Sequence, residues 1–468
     1  MLKQSQKKSI VELSIYLSFL IVTLIFVQRL LDGGVLYFDD GFFPFNPQLS
    51  FIQNISSWDS PFFPGGSYFG NFYYIPLIVA IWFFRDLGLT FSESESFYLA
   101  INLFTGAVGT YLLSKYIFRH YVIKQEANSL YALAGPAAAS FYYIFNYQQM
   151  TYYGGEFYQG FILINFTPLF IYVVMRYLST PVKFGVCNRF LAAISLISLV
   201  ISGGLEGVDS VGTDVFWFFI LLFVSILLAR FLKSDIINYK HFYIKSLAVF
   251  SVTVLSIAWT VQAIYYGSIQ AYSYATTTIY GGVKIITEPG PNMLLNLKSF
   301  ITSGFYLVNS SFGVAGSNRI WYAPEEFVHI HPYLSIFLYA PVVISFIYVP
   351  FIGRKWLEGR NILFLLLATI IFYFTVTFIV SKNYLLLPGN LIFSGINFAL
   401  SPLYSLYPSV IITSISLAIS IDILAVFLDN KVYFSHIRHP LSGGYVQDNR
   451  RNNQPVPINI VRQKQIIL

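Results

Sequence analysis

Residues 11–31 read VELSIYLSFLIVTLIFVQRLL, and residues 32–41, which follow at once, read DGGVLYFDDG. At 1.5 Å per residue the first stretch is long enough to cross a hydrocarbon core of about 30 Å as a helix. A helix also satisfies its own backbone hydrogen bonds, which lipid cannot do. The second stretch breaks at paired glycines and carries Asp32, Asp39 and Asp40, so the chain is expected to leave the membrane there. Lys3, Lys7 and Lys8 precede the apolar run, which is too long for a signal-peptide core and has no small-residue cleavage site. It reads as a retained first helix.

Working outward, similar runs recur. Spans are expected at about 11–31, 97–114, 129–147, 157–175, 190–205, 211–229, 244–264, 333–351, 362–380 and 404–428. The fold class is therefore an all-α polytopic membrane protein of about ten transmembrane helices. Composition agrees: 56% of the 468 residues are hydrophobic, 19% aromatic and 10% charged, too apolar for a soluble globular class. The alternation of a lipid-facing barrel strand is absent. A single cysteine, Cys187, rules out an intramolecular disulfide framework.

Basic residues collect on alternate turns: Lys3, Lys7, Lys8; Lys115, Arg119, Lys124; Arg176, Lys183, Arg189; Arg230, Lys233, Lys240, Lys245; Arg354, Lys355, Arg360; and the tail. By the positive-inside bias these face the cytoplasm, with both termini. Of the 28 Lys and Arg, only Arg29, Arg85, Lys284, Lys298, Arg319 and Lys382 then fall outside. Most of the acids lie on that outer face. The net charge of +7 is thus a topology signal and implies no nucleic-acid partner. Residues 72–84, with Pro76, are apolar but would invert this pattern as a span, so they are read as an interfacial or re-entrant helix.

Function is expected in three outer segments, 32–96, 148–156 and 265–332, carried by a membrane domain of residues 1–434. Residues 435–468, polar and rich in Asn and Gln, read as a disordered cytoplasmic tail. Asp39 and Asp40 stand just beyond the first helix, and Glu156 is the only acid of the second segment. A carboxylate facing a water-filled cleft at the membrane surface can take a proton from an incoming hydroxyl while a phosphate leaves a sugar. A second carboxylate can orient an acceptor or hold a divalent cation such as Mg or Mn. As solvated loop acids the same residues would do neither.

Glu325, His329 and His331 form a further polar group. The two histidines share a face of an extended segment and could bind a metal with Glu325, although an ordinary polar helix entry has the same spacing. Arg319 and Lys382 are the outer cations suited to a leaving phosphate. Trp58, Asp59, Asn71 and Tyr153, among dense outer aromatics, suit sugar binding, as they also suit an interfacial belt. The sequons at Asn54 and Asn309 both fall outside.

The order of features from Leu31 to Arg119 carries a resemblance: acids after the first helix, Pro47, Trp58-Asp59, Gly70-Asn71, Tyr74 with Pro76, Gly88, and a second helix ending in basic residues. It resembles the GT-C membrane glycosyltransferases, and most closely the membrane region of the arabinofuranosyltransferase family, over about 90 residues. The resemblance implies a polyprenyl-phosphate-linked sugar donor, inversion at the anomeric carbon, Asp40 or Asp39 as general base and Glu156 as helper. It also implies an interfacial helix in the first outer loop. Two features depart from it: no Asp-Thr-Lys surrounds Asp39, and no large carbohydrate-binding domain follows the last helix. The implied activity is transfer of a sugar to a glycan, lipid or protein outside the cytoplasm of an archaeal or bacterial cell. The alternatives are a transporter or flippase of lipid-linked saccharides and a non-catalytic membrane subunit; a transporter predicts internal repeats and intramembrane charges along a path.

Overall fold

The computed structural model describes residues 4–31, 35–37, 46–55, 75–117, 133–145, 158–180, 184–202, 211–232, 239–258, 312–315 and 320–321, with isolated helical positions between 411 and 421. Helices dominate: α1 Gln4–Leu31, α2 Pro47–Ile55, α3 Ile75–Asp86, α4 Phe91–Ile117, α5 Ala134–Ile144, α6 Tyr158–Ser179, α7 Phe184–Ser202, α8 Val211–Leu232 and α9 Tyr239–Ile257. Three short strands, β1 Val35–Tyr37, β2 Phe312–Ala315 and β3 Ile320–Trp321, depart from the all-α expectation. The expected spans at 333–351 and 362–380 lie outside the described residues. The chain divides into two units, Met1–Val426 and Phe427–Leu468, and the second contains none of the described residues.

Among the described residues, four helices are long and apolar enough to cross a membrane, within Ser9–Gln28, Phe91–Ile117, Phe161–Ser179 and Gly185–Ser202. Their outward faces are apolar too. Leu13 and Leu17 of α1, Leu196 of α7 and Leu255 of α9 are more than half exposed, with Leu255 at 74%. Such surface suits lipid, not water. Polar residues are instead inside: Thr23, Asn102, Thr110, Asn165 and Ser198 are all buried. The chain is a membrane-associated helical protein.

Side-chain contacts fix the direction of each helix. Glu12 of α1 pairs with Lys115 of α4 at 2.7 Å, and Tyr16 and Phe19 meet Tyr111 edge-on at 5.4 and 6.0 Å, so α1 and α4 are antiparallel. Phe19–Phe141 and Phe26–Phe145 contacts advance together along α1 and α5, which are parallel. Gly106 of α4 lies against Asn165 of α6, Gly109 against Leu169, and Tyr116 bonds Ser179 at 2.5 Å, so α4 and α6 are also parallel. At the C-terminus of α6, Lys245 of α9 donates to the carbonyls of Tyr177 at 3.0 Å and of Thr180. The Tyr177 carbonyl also receives the Thr180 amide at 3.2 Å, and a cation at this end complements the helix dipole. Lys115, Arg176 and Lys245 thus share one end of the bundle with the start of α1, as alternating sidedness requires.

The centre of the bundle is the α4–α5–α6 contact, made close by Gly106 and Gly109. A Cβ on Gly109 would stand 2.6 Å from the Leu169 nitrogen, and one on Gly106 would overlap Asn165. Pro168 interrupts α6 opposite this seam. Proline has no N–H, so the carbonyl four residues earlier, that of Ile164, loses its helical partner. Tyr143 of α5, fully buried, donates its phenol to that carbonyl at 2.6 Å.

Several boundaries differ from the sequence expectation for identifiable reasons. The helix α4 starts at Phe91, six residues before the expected Phe97, because Thr90 and Glu93 form a capping box. The Thr90 nitrogen reaches Glu93 Oε2 at 2.7 Å, and the Glu93 nitrogen reaches Thr90 Oγ1 at 3.3 Å. The helix α9 starts at Tyr239, five residues before the expected Ile244, and ends at Ile257. The helix α3 begins at Ile75, so Pro76 falls in its first turn, where no amide partner is lost. At 12 residues α3 is about 18 Å long, short of a full span. It folds back on α4, with Phe84 5.9 Å from Phe97 and Leu77, Ile78 and Ile81 buried. Gly88, at φ +88°, makes the turn.

Candidate functional site

The twelve residues singled out from the sequence, Asp39, Asp40, Glu156, Trp58, Asp59, Asn71, Tyr153, Arg319, Lys382, Glu325, His329 and His331, all lie outside the described residues. What the structure describes is the frame to which they are covalently tied. Tyr37, at the end of β1, precedes Asp39 by two residues. Ile320, at the start of β3, follows Arg319 directly. Tyr158, the first residue of α6, follows Glu156 by two.

The sheet joins two of these three attachment points. Its strand order is β1-β2-β3, antiparallel throughout, with Val35 opposite Ala315, Leu36 opposite Val314 and Tyr37 opposite Gly313. On the other edge of β2, Phe312 faces Trp321 and Gly313 faces Ile320. Tyr37, Gly313 and Ile320 therefore form one row, and at about 4.8 Å per strand Tyr37 and Ile320 are about 10 Å apart. Chain segments about 280 residues apart in sequence meet here. The strand β1 also touches α4.

The end of the bundle towards which α1 and α5 run, and from which α4 and α6 start, is opposite to the one holding Lys115 and Arg176. At that end the α3–α4 turn is rigidly built. Arg85 donates to the Leu89 carbonyl at 2.5 Å and stacks 4.1 Å over the Phe91 ring, while the Leu89 nitrogen returns to the Phe84 carbonyl at 3.2 Å. The helix α2 packs against α3 through Phe51 and Trp82, rings 5.7 Å apart.

Just inside this end α4 carries polar residues that the sequence reading did not single out. Glu95 is 0% exposed, Tyr98 5% and Asn102 3%. Spaced at i, i+3 and i+7, they share one face of the helix. Asn102 Nδ2 donates to the Tyr98 carbonyl at 2.8 Å, which leaves its Oδ1 as a bare acceptor. Searches against protein-family models, curated proteins and solved structures return no match for this chain. The site has to be read from its chemistry alone. Hydropathy alone leaves Glu95 in the outer segment 32–96, ahead of a helix expected from Phe97. The signal available was the Thr90-x-x-Glu93 box, which moves the helix start back and takes Glu95 into it.

Proposed function

We propose that this chain is a GT-C-type membrane glycosyltransferase of about ten transmembrane helices. Both termini lie in the cytoplasm and the active site lies on the outer face. It passes a sugar from a polyprenyl-phosphate-linked donor to an extracytoplasmic glycan, lipid or protein acceptor. Asp39 or Asp40 removes the proton from the attacking hydroxyl, and Glu156 orients the acceptor or a divalent cation. Arg319 and Lys382 neutralise the departing lipid phosphate, while Trp58, Asp59, Asn71 and Tyr153 hold sugar rings.

The observation that carries this reading is the antiparallel pairing of β1 with β2, which ties the strand before Asp39 to the strands flanking Arg319. A base and a phosphate-neutralising cation must serve one reaction centre, and the row Tyr37–Gly313–Ile320 joins the segments that carry them. The antiparallel α1–α4 pair lends further support. It puts the end of α1 and the Gly88 turn into α4 at the same end of the bundle, with α3 folded back on α4.

The test uses membranes containing the full chain and a lipid extract whose carrier-linked sugars are radiolabelled. A general base contributes about 10²–10⁴-fold. Asp40→Ala or Asp39→Ala should lower transfer by at least about a hundredfold at unchanged protein level, and Glu156→Ala should lower it as well. Undiminished transfer in all three variants would rule the reading out.

A further inference from the structure

We draw no further inference here: the strongest candidate, the exposed apolar surface that α2 and α3 present through Leu49, Ile52, Val79, Phe83 and Leu87 beside the turn into α4, carries nothing because nothing among the described residues shows what covers it.

Discussion

Pro168 removes the amide that would have satisfied the Ile164 carbonyl, and the Tyr143 phenol replaces it from a neighbouring helix. Each residue accounts for the other, which makes the pair testable by a double-mutant cycle. Tyr143→Phe leaves a buried carbonyl unpaired and should cost about 0.5–2 kcal/mol in detergent unfolding. In a Pro168→Ala background the residue 168 amide can close the helical bond, so the same change should cost close to nothing. Equal costs in both backgrounds would show that the phenol does not act on the proline-freed carbonyl. Lys245 also acts at the end of α6, where its ammonium donates to the carbonyls of Tyr177 and Thr180. Lys245→Met keeps the apolar stem and loses those bonds, so it should lower the melting temperature, whereas Leu247→Met, at a position 66% exposed, should serve as a neutral comparison.

Between elements, Gly109 is where α4 comes up against the backbone of α6. Gly109→Val would drive its side chain into the Leu169 backbone, which has no rotamer with which to yield, and should cost about 1–3 kcal/mol. Thermal unfolding monitored by loss of monodisperse protein would check this; an unchanged midpoint would mean that the helices stand further apart. This level also shows what could be read from the sequence. The helices α1, α4, α6 and α7 were legible because each presents an uninterrupted apolar run of membrane length. Helix ends were less so: α4 starts at a side-chain cap and α9 starts ahead of its apolar run, and hydropathy reports neither. The short helix α2 gave no signal. The strands were illegible for a different reason. They are two to four residues long, and β1 gains meaning only from a partner far away in the chain. Of the candidate site, the loop acids could be picked out by residue type, whereas Glu95, Tyr98 and Asn102 required the true start of α4.

For the molecule as a whole, the geometry groups Lys115, Arg176 and Lys245 at one end and the sheet and the α3–α4 turn at the other. In the proposed orientation the first is cytoplasmic and the second external. Single cysteines in the Cys187→Ser background test this directly. Asp59→Cys should react with impermeant reagent on intact cells, and Lys124→Cys should react only after permeabilisation. Labelling of Lys124→Cys on intact cells would invert the assignment and remove the outer face on which the sugar-transfer reading depends.

The sheet also sets an order of events during biosynthesis. Val35 pairs with Ala315, so roughly 280 residues must leave the ribosome after β1 before its partner exists, a wait of about 15–55 s at ordinary translation rates. Helices α2 to α9 are all made in that interval and can pack on one another and on α1, which precedes it. Among the described elements the sheet is the last to assemble, so a nascent chain arrested before β2 would already hold α1 to α9 yet be unable to act.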